Sequence, residues 1–411
     1  MNTSAKINQT TIGFILATAL IAGAFLFIAK ISLALRFIIG LSFGFVLVKS
    51  SLGFAGSVNR LSRMGTSATA KALMYMFIIT AIFTAFIIYG NENSYALNIY
   101  PINIGLLAGG LLFGFGMALS SCCATGSLTD LASGFSRASV TIFFFMIGVF
   151  LGFRYQGTAS WVKESWISSE HGDMSKGGVF LPDLFTFDGF NGYLGALVLT
   201  IILAFIIIYL AQKYEEKLNI KKPEDVKKEK TDISFTSIIM NPWNLKISVI
   251  VIAFLFSTLL FLSGKGWSAT SPFGVWFAKL LMLFGMSAQD ISAFTTRPIE
   301  FFTQPLLEYS TSLQNFGIIF GAVIALLFAR TFDKKFISGL VITPLAFVVY
   351  AFGGFIMGFG TRLSNGCNVG ALYTPIAEFS LSGWLYLIVV AIGGFSGNWF
   401  IKRYISKTCV F

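Results

Sequence analysis

Along its length the chain sets long apolar runs between short polar interruptions. IGFILATALIAGAFLFIA (12–29), ALMYMFIITAIFTAFIIY (72–89) and YLGALVLTIILAFIIIYL (193–210) are continuous rather than alternating. A helix of roughly 20 apolar residues spans the hydrocarbon of a bilayer, so each run reads as one crossing. VVAIGGFSGNWFI (389–401) reads as part of another. The pattern predicts an all-α polytopic membrane protein of about nine transmembrane helices plus short re-entrant helices. Strands of a membrane barrel would alternate apolar and polar positions, and these runs do not. The first apolar run follows a weakly charged start (Lys6) and is closed by Lys30, which predicts a retained helix rather than a cleaved signal.

The longest polar stretch, QKYEEKLNIKKPEDVKKEK (212–230), divides the chain. It predicts an N-terminal transmembrane half at 1–210, a charged cytoplasmic linker at 211–246 and a C-terminal transmembrane half at 247–411. Its lysines, and Arg60, Arg63 and Lys71 in another loop, place both loops in the cytoplasm by the excess of basic residues there. The acidic, glycine-containing region 154–191 falls on the other side. The interrupted segment 102–136 fits a re-entrant hairpin with Cys123 near its tip, and it fits a single broken span equally well.

The halves are predicted to be repeat-related. GGLLFGFGMALSSCCATGSL (109–128) and GGFIMGFGTRLSNGCNVGAL (353–372) align without a gap. Gly114 and Gly116 match Gly358 and Gly360, Ser120 matches Ser364, Cys123 matches Cys367, and Gly126 matches Gly370. Upstream, FIIGLSFGFVLV (37–48) resembles NFGIIFGAVIAL (315–326), with Gly40 and Gly44 answering to Gly317 and Gly321. Duplicated plans are common in transporters, whose sites lie between the repeats near the midplane.

A helix can break inside a membrane only against protein or a water-filled cavity. The spacing predicts a new helix from a capping box at Ser127, and another from Thr374 with Pro375 in its first turn. Each cysteine then precedes a helix start, an end that favours anions. A thiol in an apolar site stays protonated and is a soft, weak donor suited to a large polarisable sulfur atom. The candidate pathway residues are Cys123, Cys367, Cys122, Ser120, Ser364, Asn365, Arg362, Gly126 and Gly370. The two serines are expected to offer hydroxyl donors to oxyanion atoms. Arg362 is expected to attract the anion, since intramembrane arginine is costly. The plainer alternative is that a buried Cys is a small hydrophobe and a GxG a packing surface. Recurrence at one place in two blocks favours the functional reading for Cys123 and Cys367. The plainer one suffices for Cys122 and Cys409 taken singly. Asp130 reads as a cap and His171 as a solvated loop residue.

Composition adds limits. The chain is 55% hydrophobic, 11% charged and carries a net +11 over 411 residues. The basic excess is accounted for by cytoplasmic loops, with a share left to line an anion path. No soluble basic surface is evident, so nucleic acid is not an expected partner; membrane lipid is. One His and four Cys cannot assemble a zinc or haem site, and no cofactor is expected. No GxxxxGK[ST] occurs, so transport energy would come from a gradient or from trapping. Without a CxxC motif, a membrane thiol oxidoreductase is the weaker rival, beside a general anion channel with structural cysteines.

The segments GFGMALSSCCATGSL and GFGTRLSNGCNVGAL resemble the signature of the YeeE/YedE family of bacterial sulfur-compound transporters, and GLSFGFVLVKSSLGFAGSVNRL resembles that family's first block. The resemblance implies a helical inner-membrane protein that takes up thiosulfate or, in some members, handles selenium compounds. It implies that Cys123 and Cys367 pass a small sulfur-containing anion along by S–H···S contacts, and that a small TusA-like sulfur carrier is the cytoplasmic partner. A further pathway cysteine, found in the first block of some members, is absent at 49–53 here. The linker and the length look closer to the YedE branch.

Overall fold

A computed structural model describes residues 8–28, 30–218 and 235–405. Cys409 and the 219–234 part of the charged linker lie outside the described residues. Ten helices among those described are long and apolar enough to cross a membrane, one more than the sequence pattern suggests. The chain is a multi-pass membrane protein.

The elements that position the site are α1 (Gln9–Phe27), α2 (Ile31–Ser50), α3 (Phe54–Asn59), α4 (Ala68–Ile88), α5 (Ile104–Ser120), α6 (Ala124–Asp130) and α7 (Phe135–Thr158). They continue with α8 (Tyr193–Leu218), α9 (Leu245–Ser263), α10 (Ser271–Leu283), α11 (Ser310–Phe328), α12 (Pro344–Leu363), α13 (Thr374–Ala377) and α14 (Leu381–Phe400). Hydrogen bonds sort their ends onto two faces. The Ser67 amide donates to Glu215 at 3.3 Å, and the Trp243 amide to the Lys49 carbonyl at 2.9 Å. The start of α4, the end of α8, the end of α2 and the start of α9 therefore share the linker face. On the opposite face, Asn103 before α5 donates to the Val162 carbonyl at 2.8 Å, and the Leu381 amide to Val179 at 3.0 Å.

Glycine lets the central helices approach to backbone contact, the way small residues drive packing where lipid is as apolar as leucine. A Cβ at Gly109 would stand 2.6 Å from the Gly360 carbonyl oxygen, and one at Gly116 2.5 Å from that of Gly353. That order makes α5 and α12 antiparallel. On the far side of α12, a Cβ at Gly358 would lie 2.2 Å from the Phe145 oxygen of α7, and one at Gly148 2.2 Å from the Phe355 oxygen. Helix α14 packs along α5 by the same means: a Cβ at Gly114 would reach 2.3 Å from the Val390 oxygen. These seams join the N-terminal helices to the C-terminal ones across the linker.

Two sequence expectations are refined by this packing. Gly40 and Gly44 do not merely answer to Gly317 and Gly321; they lie against that helix, with Cβ positions 2.4 and 2.0 Å from the Gln314 and Ile318 oxygens. Helices α2 and α11 run in the same direction: Arg36 bonds Gln314 at one end, and Val48 and Leu326 line one cavity at the other. Helices α5 and α12 run oppositely, so no single symmetry relation covers both pairs, and the upstream likeness is a shared packing seam. The segment 102–136 is the broken span, not the hairpin. It enters at Asn103 on the opposite face and leaves on the linker face, where Ser136 donates to the Leu340 carbonyl at 2.7 Å. The second block does return to the face where α12 ends, since Leu381 bonds Val179 there.

Adding a methyl at a seam must push backbone apart. Gly358→Ala and Gly44→Ala are expected to destabilise by about 1–3 kcal/mol. Gly23→Ala, where the nearest atom is 3.9 Å away, should leave stability unchanged or slightly higher. Thermal unfolding midpoints of the purified protein in detergent measure both.

Candidate functional site

Both Gly/Cys blocks turn out of their long helix in the same way. Ser120 Oγ donates to the Gly116 carbonyl at 2.8 Å and to the Cys122 carbonyl at 3.2 Å. Ser364 Oγ donates to Gly360 at 2.9 Å and to Gly366 at 3.2 Å. Each hydroxyl ties the last helical turn to the carbonyl just past the break, and the Gly360 carbonyl also accepts the Ser364 amide at 3.1 Å. This corrects the expectation that Ser120 and Ser364 offer free donors to a ligand: a hydroxyl has one proton, and here the backbone takes it. The residues that follow, Ser121 (φ 56°) and Asn365 (φ 62°), take the left-handed conformation, which Asn tolerates better than most side chains.

Past the turn, the cysteine itself occupies the cap position. Cys123 is extended (φ −100°, ψ 177°), α6 begins at the next residue, and the Gly126 amide donates to Cys123 Sγ at 3.3 Å. Cys367 (φ −102°, ψ −166°) stands likewise before a wide helical turn, Asn368–Tyr373, that runs into α13. In the first block the helix therefore starts directly after the cysteine, not at Ser127, whereas in the second a wide turn follows Cys367 and α13 begins at Thr374 with Pro375 in its first turn, as the spacing predicts. Thr374 donates its hydroxyl to the Trp267 carbonyl at 2.6 Å. Gly126 and Gly370 leave the flank of each block open, with nearest atoms to an added Cβ at 3.4 Å (Cys123 Sγ) and 3.9 Å (Ser268 Oγ).

Cys123 and Cys367 are 3% and 1% exposed, free, and members of one apolar cluster. Asn368 Nδ2 donates to Met117 Sδ of α5 at 3.0 Å, fastening the second block to the helix that carries the first. Tyr386 of α14 lies fully buried in the same apolar cluster as both thiols.

A cavity lies toward each face. The linker-face cavity, about 290 Å³, is lined by Ser51, Gly53, Cys122, Cys123, Arg137 and Lys335 among others. The opposite-face cavity, about 360 Å³, is lined by Arg362 and Asn365 together with Gln156, Lys176, Ser268 and Arg297. Arg362 is 3% exposed and donates to Ser271 Oγ at 3.4 Å and to Thr270 Oγ1. Asn365 Oδ1 accepts from Gln156 at 2.7 Å. Of the sequence-predicted residues, Cys122 and Cys123 thus share one cavity, Arg362 and Asn365 share the other, and Cys367 lies two residues beyond Asn365. Asp130 is an ion-pair partner of Arg137 at 2.8 Å on the cavity wall rather than a cap. His171 pairs with Asp183 at 2.6 Å.

Sequence reasoning missed Tyr386, Arg297, Lys176 and Glu378, none of which sits in a duplicated block. Glu378 follows α13, outside the spans, and is fully buried. One of its oxygens accepts the Asn98 amide at 2.5 Å and the other has no hydrogen-bond partner. Lys176 and the Tyr100 hydroxyl both donate to the Asn98 side chain, at 2.8 and 2.9 Å. Burial pushes the Glu378 carboxyl up to about 7, against the pull of the Asn98 amide and of Lys176.

Comparison with known proteins agrees with this arrangement. A family model described as sulphur transport matches residues 49–396. The chain is 23% identical over 375 residues to the thiosulfate transporter TsuA of Spirochaeta thermophila, covering 89% of this chain and 98% of that protein. It is 20% identical over 368 residues to the thiosulfate transporter TsuA of Escherichia coli (strain K12), 89% and 93%. Over 159 residues it is 32% identical to the probable transporter YedE of Escherichia coli (strain K12). That match spans 38% of this chain and only 37% of the relative's length.

The raised carboxyl at Glu378 has a definite linkage sign. Its contribution to stability is present at low pH and is lost as pH climbs from the ordinary value of 4.5 through about 7. The unfolding midpoint in detergent should fall between about pH 5 and about pH 8, and Glu378→Gln should flatten that fall. An unchanged slope in the glutamine variant would remove Glu378 as its source.

Proposed function

Because the chain belongs to the sulphur-transport family, we propose that it takes up a small sulfur-containing anion such as thiosulfate across the bacterial inner membrane, with Cys123 and Cys367 contacting it in turn. The observation that carries this reading is the pair of free thiols, each directly after a serine-clasped turn. Their blocks are fastened to one helix, α5, and a polar cavity lies toward either face.

The chemistry follows from size and softness. A thiol donates a weak hydrogen bond, and a terminal sulfur atom accepts one at a longer, softer distance than oxygen does. Weak contacts at successive sites let an ion enter and also leave, which is the requirement for conduction. The surrounding cluster is largely apolar, with Tyr386, Trp267 and Trp384 each bringing a buried polar atom into it. Serine at 120 and 364 holds the shape of the turn, so the sulfur atoms are the groups left to meet the ligand. Movement runs from the opposite-face cavity past Cys367 and Cys123 into the linker-face cavity. A TusA-like carrier in the cytoplasm would draw the anion away there and give the cycle its direction. Relatives named for thiosulfate transport over nearly their whole length support the substrate class.

Labelled thiosulfate uptake by sulfur-starved cells tests the reading. Cys123→Ala and Cys367→Ala should each lower the rate roughly fivefold to tenfold, the loss of a contact of about 1–1.4 kcal/mol, at unchanged protein level. Wild-type uptake by the double variant would refute the thiol role.

A further inference from the structure

The mouth of the opposite-face cavity holds two guanidinium groups with nothing negative to meet. Arg297 comes from the segment before α11 and Arg362 from the end of α12, and both stand over the ring of Phe153. The guanidinium carbon of Arg297 is 5.2 Å from the ring centroid and that of Arg362 is 5.3 Å. Neither arginine has an ion pair among the described residues, and no carboxylate lines the cavity. Arg362 gives its protons to neutral hydroxyls, those of Thr361, Thr270 and Ser271. Arg297 gives one to Gln156 Oε1 at 2.5 Å, and its buried Nε has no hydrogen-bond partner. Lys176 adds a third cation to the wall.

Like charges over one ring repel, and keeping Arg362 buried and Arg297 half-buried without counter-ions is costly unless an anion binds beside them. Arginine's planar fork suits an oxyanion better than a point charge would, because two N–H groups meet two oxygens. The cavity of about 360 Å³ leaves room for a small tetrahedral ion. Gln156 spans the mouth: it accepts from Arg297 and donates to Asn365, so the arginine is tethered to the turn that precedes Cys367.

We propose that Arg297 and Arg362, both held over the ring of Phe153, form a capture site for divalent oxyanions that reads charge and shape but not sulfur. The site rests on the transport reading of the cysteine route and adds a filter before it. Two consequences separate the stages. Sulfate, which lacks a soft terminal atom, binds at the mouth as thiosulfate does. Discrimination between the two falls to the thiols beyond it.

Equilibrium binding of labelled sulfate to the purified full-length protein in detergent, with thiosulfate as competitor, tests this without any need for transport. The expected result is that both anions bind with affinities within about threefold of each other, since a dianion of similar size makes the same contacts. Arg297→Gln should weaken both about tenfold, and Arg297→Lys should weaken them less. Added salt should weaken both in parallel. Arg362→Lys, matched by an unfolding midpoint equal to wild type, gives the second arm. No sulfate binding by the wild type, thiosulfate binding without sulfate binding, or unchanged affinity in Arg297→Gln would each overturn the proposal. If capture behaves as expected while cells take up no thiosulfate, the capture site stands and the transport reading is the one that fails.

Discussion

An apolar medium offers no hydrogen bonds to a broken helix, and the structure around the site is organised by that demand. Where α5 and α12 stop, their last carbonyls need donors that water cannot supply. A serine hydroxyl helps in each block, bridging a carbonyl of the last helical turn, which at Gly360 also accepts the Ser364 amide, to the carbonyl just past the break. With that clasp in place the chain can leave the helix, take a left-handed step and set a cysteine in extended conformation at the next helix start. Without it, the thiols would have no defined position.

The glycine seams do the complementary work. Helices α5, α7, α12 and α14 meet at backbone distance, so side chains are almost excluded from the seams and fill the pockets between them instead. The result is a tight waist flanked by two polar cavities rather than an open channel. Charge sits at the mouth, in Arg297, Arg362 and Lys176, and softness sits at the waist. On the transport reading proposed above, the first attracts anions by long-range forces and the second sorts them by contact.

Much of this was legible in the chain. Continuous apolar runs gave the membrane class, because crossing a bilayer fixes length and composition so strongly. The gapless match of 109–128 with 353–372 located both thiols and both clasping serines. Their role was misread, since a sequence shows a hydroxyl but not which acceptor claims its proton. The first block's helix begins earlier than the spacing at Ser127 suggests for a related reason: a thiol is a poor cap by propensity, and here the Gly126 amide reaches it all the same. The likeness of 37–48 to 315–326 was real in composition, yet it records two glycine faces pressed together, not a repeat with the orientation of the cysteine blocks. Arg297, Lys176, Tyr386 and Glu378 carried no local signal. They join the site through long-range packing, from loops and from a helix whose own pattern is only apolar.

Cys122 and Cys123 stand side by side on the wall of the linker-face cavity, neither of them in a disulfide. Thiophilic ions such as mercury or trivalent arsenic prefer that kind of ligand to any oxygen or nitrogen donor. If the passage sorts its cargo by softness as proposed, the same pair of thiols leaves it open to poisoning by the softest ions that reach that wall.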